Sequence, residues 1–198
     1  MLENLSHYDI LLASNSPRRR ELLAGLGIQY QVVSLPEIDE TYPPSLQGRE
    51  IPQFISRQKA DAYKSMMTPR TLLITADTIV WLNGKVYGKP TDDNDARKML
   101  RELSGNTHIV ITGVTITTTN FQRVFAVESE VTFDNLSDEE IDYYVENYKP
   151  LDKAGAYGIQ EWIGYIGVTG LKGSYFNVMG LPIQRLYNEL KQIKPIML

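Results

Sequence analysis

At 198 residues, 42% of them hydrophobic and 22% charged, the chain has an ordinary globular composition and the length for one substantial core or two small lobes. It has no cysteine, which excludes disulfides, a cysteine nucleophile and a thiolate metal site. A net charge of −4 argues against a broad nucleic-acid surface, and no run nears the roughly 20 apolar residues of a membrane span.

A cysteine-free chain suits a reducing compartment, so a cytoplasmic protein is expected, and the polar residues 1–9 lack the apolar stretch of a cleavable signal, as expected of a soluble one. Residues 10–13, Ile-Leu-Leu-Ala, read as a buried strand, broken by Ser14-Asn15-Ser16-Pro17. A helix then starts with Ser16 as N-cap and Pro17 in first position, buries Leu22, Leu23 and Leu26, and stops at Gly27. Residues 30–33 read as a second strand running into the acidic loop Pro36-Glu37-Ile38-Asp39-Glu40. The pattern over 52–66 is helical, with Phe54, Ile55, Ala62 and Tyr63 available for burial and Arg57, Lys59 and Lys64 elsewhere.

Residues 72–76 are the most strand-like, lead into Asp77-Thr78 and continue through Ile79-Val80-Trp81 to a hairpin pair, Asn83-Gly84. A helix is predicted over 91–103 with Ala96, Met99, Leu100 and Leu103 inward, and paired strands over 108–119 and 123–133. Ser137-Asp138-Glu139-Glu140 is a capping box opening a helix to about Tyr148. Residues 151–180 read as a glycine-rich stretch with short strands, before Pro182 opens a last helix of Leu186, Leu190 and Ile193.

Pro17-Arg18-Arg19-Arg20 places three cations in a helix's first turn, where the macrodipole disfavours them by roughly 0.3–1 kcal/mol each. A phosphate would compensate, held by free backbone amides, the Ser14 and Ser16 hydroxyls and the guanidinium forks; the bland alternative is three solvated arginines near Glu21. On this reading Arg19→Ala weakens triphosphate binding without loss of stability, because dipole repulsion is relieved. Asp77 follows an apolar strand, where α/β sheets place active sites, although Asp also caps turns. With Asp39-Glu40 in another loop, the carboxylates and cations have the layout that brings Mg²⁺ to a polyphosphate. His7 and His108 stand apart and read as structural or surface residues. Lys89, between Gly88 and Pro90, and Lys153, in a small-residue loop, sit where backbone can approach a ligand; a plain tight connection is the competing view.

Five blocks carry a resemblance: Ser14-Asn15-Ser16-Pro17-Arg18-Arg19, Ala76-Asp77-Thr78, Gly88-Lys89-Pro90, Asp152-Lys153-Ala154-Gly155-Ala156-Tyr157-Gly158-Ile159-Gln160, and Gly173-Ser174-Tyr175-Phe176-Asn177-Val178-Met179-Gly180-Leu181-Pro182. In this order and spacing they resemble the signature blocks of Maf proteins. The resemblance implies one mixed α/β domain over 1–198, similar to inosine triphosphate pyrophosphatases, with a central twisted mixed sheet, an active-site cleft between two lobes and often a homodimer. It also implies Mg²⁺- or Mn²⁺-dependent hydrolysis of a nucleoside triphosphate at the α–β phosphate bond. Asp77 resembles the catalytic, metal-binding carboxylate, and Glu40 a second carboxylate, a place Asp39 could also take. Ser14, Arg19, Lys59 and Lys89 fall on substrate-contacting positions. Arg18, Thr78 and Gln160 resemble the trio of the subfamily acting on dTTP and UTP. A sister subfamily acting on 7-methyl-GTP carries an aromatic residue, Gln and Glu at those places. The alternatives are that purine or methylated-base substrate, or a non-catalytic nucleotide-binding regulator of septum formation.

Overall fold

The computed structural model of the chain describes residues 2–34 and 38–196. It divides into two units, one of Met1–Asp77, Thr112–Val127 and Gly180–Leu198, the other of Thr78–Ile111 and Glu128–Met179. Pro36 and Glu37 of the acidic loop lie outside the described residues. The hydrogen-bonded strand order is β2-β1-β3-β5-β6-β7 with β4 on β3, the strands being β1 Asp9–Ala13, β2 Gln31–Val33, β3 Thr71–Leu82, β4 Lys85–Tyr87, β5 Thr107–Thr117, β6 Gln122–Phe133 and β7 Val168–Lys172. Pairing is parallel for β1 with β2 and β3, and antiparallel for β3 with β4 and β6 with β7, so the sheet is mixed as expected.

In the first unit, the parallel strands are joined by helical crossovers, α1 (Pro17–Ala24) between β1 and β2 and α2 (Glu50–Tyr63) between β2 and β3. Ile10, Leu12, Leu72, Leu73 and Ile74 are buried, which is why both segments read as continuous apolar runs. The Ser16 side chain caps α1 by accepting the Arg19 amide, with Pro17 in its first turn. The last helix, α7 (Ile183–Lys191), buries Leu186 and Leu190.

In the second unit, β3 and β4 close a hairpin through Asn83 and Gly84, both at positive φ (52° and 81°), the backbone a two-residue hairpin turn requires. Helices α3 (Asp93–Leu103) and α4 (Asp138–Tyr148) bury Leu100, Leu103, Ile141, Tyr144 and Val145 in a core shared with Val131 and Phe133. Ion pairs Arg97–Asp142, Arg101–Asp138 and Lys149–Asp93 run between the two helices. The predicted capping box is present, Ser137 and Glu140 each satisfying the other's backbone amide.

The stretch 151–180 departs from its reading as short strands. It holds 3₁₀ turns at Pro150–Asp152 and Ala154–Ala156, helix α5 (Trp162–Gly167), the single strand β7 and the short helix α6 (Tyr175–Val178). Trp-Ile-Gly-Tyr-Ile-Gly has strand-like composition, but Gly164 lets the backbone turn close on itself. A Cβ there would stand 1.8 Å from the Ile159 carbonyl oxygen. Among the described residues, no helix is long and apolar enough to cross a membrane.

Candidate active site

Alternate residues of β3 meet one face of α2. The Thr75 hydroxyl donates to the Ser56 carbonyl at 2.6 Å, and the Lys59 ammonium, one helical turn on from Ser56, donates to Asp77 Oδ1 at 2.8 Å. Lys59 and Asp77 are each only 8% exposed. Helical spacing placed Lys59 off the apolar face; it is nonetheless buried, because two carboxylates compensate its charge, Asp77 and, at 3.1 Å, Glu40. Asp39, by contrast, accepts the Thr41 amide at 3.0 Å and shapes its own loop, so Glu40 is the acidic-loop residue that meets Lys59.

Asp77 lies within β3 rather than at its end. The strand pairs with β1 as far as Ile74 and with β4 from Val80, and Asp77 falls between these two stretches. Two carboxylates converging on one cation form an oxygen donor set that also suits a divalent ion. Mg²⁺ takes one or two protein carboxylates and completes its shell with phosphate and water. Among the described residues there is no group of three or more His, Cys, Asp or Glu placed to hold a metal ion.

The arginine cluster divides its labour. Arg19 donates from Nε to the Gly180 carbonyl at 2.8 Å and from Nη1 to the Ala76 carbonyl at 3.0 Å, bracing the residue before Asp77. Burial pushes its guanidinium below the ordinary arginine range, Asp77 pulls it back, Arg18 lowers it and Glu40 raises it. Arg20 donates to the Ser14 carbonyl, so its charge serves the turn after β1. The helix start also keeps fewer open amides than expected, since Ser14 Oγ accepts the Ser16 amide at 3.2 Å and Ser16 Oγ that of Arg19 at 3.4 Å. Small polar side chains at such a turn compete with any ligand for its amides.

The bracing role revises the stability expected for Arg19→Ala. Two backbone carbonyls lose a charged donor, a loss of about 1–3 kcal/mol that exceeds the dipole relief of roughly 0.3–1 kcal/mol. Urea unfolding of the unliganded variant should therefore show a lower midpoint. An unchanged midpoint would mean that water satisfies both carbonyls.

The first unit thus brings Ser14, Arg18, Arg19, Glu40, Lys59 and Asp77 into one region of α1, α2 and β3, while Thr78, Lys89 and Gln160 belong to the second. Lys89 is exposed in the link from β4 to α3, whose Gly88 carbonyl accepts the Gly155 amide at 3.0 Å. Gln160 is half-buried, and its Oε1 is buried with no hydrogen-bond partner among the described residues. Lys153 is buried between Asp152 at 2.8 Å and Glu161 at 3.1 Å. The part played by Glu161 was not read from the sequence, where nothing but its place after Gln160 pointed to it.

The family model for Maf-like protein matches residues 9–193. A relative from Phocaeicola vulgatus, described as dTTP/UTP pyrophosphatase, is 65% identical over 193 residues, covering 98% of this chain and 100% of its own. One from Bacteroides thetaiotaomicron with the same description is 63% identical over the same shares. Among solved structures, a HAM1 protein from Coxiella burnetii is similar with a TM-score of 0.51 and 18% identity, over 94% of this chain and 100% of the other. At that identity the likeness concerns the fold.

Proposed function

The chain belongs to the Maf-like protein family, and from this premise we propose that it hydrolyses dTTP and UTP at the α–β phosphate bond to the monophosphate and pyrophosphate. The observation that carries the reading is the meeting of Asp77 and Glu40 on Lys59. Lys59 offsets only one of the two negative charges, and a carboxylate left in excess beside a polyanion favours a divalent ion, which a protein that only bound nucleotide would not require.

Asp77 and Glu40 would hold a divalent ion such as Mg²⁺ or Mn²⁺, which supplies a lowered pKa for bound water and neutralises phosphate charge. Asp77 takes the proton of the water whose oxygen attacks the α-phosphorus; that P–O bond forms as the bond to the bridging oxygen breaks and pyrophosphate leaves. Lys59, Arg19 and the Ser14 hydroxyl, all of the first unit, bind phosphate oxygens and oppose the charge gathering on the leaving group. No covalent intermediate is needed, because positioning and electrostatics carry most of such a transfer.

Gln160 of the second unit selects the base. Uracil and thymine present an N–H donor flanked by carbonyl acceptors, and an amide meets that edge with its oxygen and its NH₂ together. The buried Gln160 oxygen without a partner supports this assignment. Cytosine has an acceptor at the same ring nitrogen, so the amide would have to turn its NH₂ to that atom and its oxygen to the exocyclic amine.

Release of pyrophosphate from dTTP, UTP, CTP, GTP and 7-methyl-GTP, with Mg²⁺ or Mn²⁺ present, tests the reading; dTTP and UTP should be the best substrates. Gln160→Glu replaces the donor NH₂ by a carboxylate oxygen facing a carbonyl. It is expected to lower kcat/KM for dTTP and UTP roughly 10- to 100-fold and to leave GTP nearly unaffected. An equal loss on every nucleotide would assign Gln160 to the shared triphosphate chemistry.

A further inference from the structure

Gln160 sits on a turn whose two ends are held by one hydroxyl. The Glu161 amide donates to the Gly158 carbonyl at 3.0 Å, which closes the turn Gly158-Ile159-Gln160-Glu161. Tyr144 of α4 is fully buried, and its hydroxyl accepts the Gly158 amide at 3.0 Å while donating to Glu161 Oε2. Glu161 Oε1 lies 3.1 Å from the buried Lys153 ammonium, which Asp152 also meets at 2.8 Å. Burial, and after it the Glu161 carboxylate, push the Tyr144 hydroxyl above its ordinary pKa, so it remains a donor.

The same turn packs tightly around the Gln160 side chain. A Cβ on Gly158 would stand 2.9 Å from Glu161 Cδ and 3.0 Å from Gln160 Nε2, so the carboxylate and the amide share one small space. On the other side, the Glu161 carbonyl accepts the Gly164 amide at 2.9 Å and starts α5. The amide with an unpartnered buried oxygen is thus mounted between two residues that a largely buried Tyr–Glu–Lys network fixes.

We propose that Tyr144 and Glu161 are positioning residues for base selection: they clamp both ends of the 158–161 turn and so aim the Gln160 amide at the pyrimidine. The inference rests on the assignment of Gln160 to the base. Neither residue touches substrate. A satisfied buried network holds one geometry, and a loosened turn lets the amide rotate away from the edge it must meet.

The test is a double-mutant cycle read as substrate selectivity. Tyr144→Phe is expected to lower kcat/KM for dTTP about 5- to 10-fold, mostly through KM, with less than about a 2-fold change for GTP. In a Gln160→Ala background, the same substitution should change the dTTP/GTP ratio by less than about 2-fold, because the residue it acts through is gone. Glu161→Ala provides a second cycle, should Tyr144→Phe fail to melt cooperatively, and Glu161→Gln, which keeps an oxygen for the Tyr144 hydroxyl, should restore most of the ratio. An unchanged ratio in folded Tyr144→Phe or Glu161→Ala overturns the proposal, as does an equal loss with and without Gln160. A wild-type protein with no preference for dTTP would instead defeat the assignment of Gln160, and the same measurements show which has failed.

Discussion

Asp77→Asn is expected to reduce turnover of dTTP and UTP at least ~100-fold while the protein stays folded, the scale of loss that follows removal of a general base. Asparagine keeps the shape and an oxygen 2.8 Å from Lys59, and Lys59 keeps the Glu40 carboxylate, so the buried cation is not stranded. The variant does lose the basic oxygen and one of the two negative charges facing a cation. Single-turnover release of pyrophosphate measures the chemical step, and a thermal melt reports the fold. Turnover near the wild-type rate would remove Asp77 from the chemistry and leave it as the buried partner of Lys59.

The second large effect belongs to stability. His108 is fully buried, with Nε2 2.7 Å from the Tyr157 hydroxyl oxygen, its ring edge-on to Phe133 and Tyr157, and Nδ1 without a hydrogen-bond partner among the described residues. An imidazolium there would carry a donor with no acceptor in an aromatic pocket, and burial pushes the His108 pKa from 6.5 down to about 4. Above pH 6.5 the ring is neutral in both folded and unfolded chains and costs nothing. As the pH falls below 6.5 the unfolded chain binds a proton that the native chain refuses, so stability drops until the native ring also titrates near pH 4. The loss through this residue amounts to about 2 kcal/mol by pH 5 and about 3 kcal/mol by pH 4. Urea unfolding at pH 7.5, 6 and 5 should show that slope in the wild type and not in His108→Gln. Parallel slopes for the two proteins would mean that other groups carry the acid sensitivity.

Much of the fold is legible along the chain because its signals are local. Ser16-Pro17 starts α1, the Ser137–Glu140 box starts α4 and Asn83-Gly84 turns the β3–β4 hairpin, each through hydrogen bonds or φ values set by a few neighbouring residues. Family membership was legible for the same reason, since five short blocks keep their order and spacing over most of the chain. Residues 151–180 were misread where non-local packing outweighs propensity. Trp162–Gly167 becomes helix α5 through a glycine packed against the Ile159 carbonyl, a contact no periodicity reports.

For the site, residue types and their places along the chain nominated Asp77, the Asp39-Glu40 loop and the arginines of α1, and the family resemblance added Lys59. Their partners came only from the tertiary structure. Spacing on α2 placed Lys59 off the apolar face, yet the register of β3 against α2 buries it on Asp77, while Asp39 shapes its own loop. The arginines drew notice as charges on a helix dipole, whereas folding turns Arg19 into a brace between the Ala76 and Gly180 carbonyls, the latter 161 residues away in sequence. Tyr144, marked in the sequence only as part of a capped helix, gains its partners Gly158 and Glu161 when α4 packs against the 152–161 loop. The sequence by itself therefore determined which chemical groups this protein carries and which local turns it makes. Which carboxylate meets which cation was decided only by the fold, because Coulomb and hydrogen-bond energies depend on distances of about 3 Å that strand register and helix packing set.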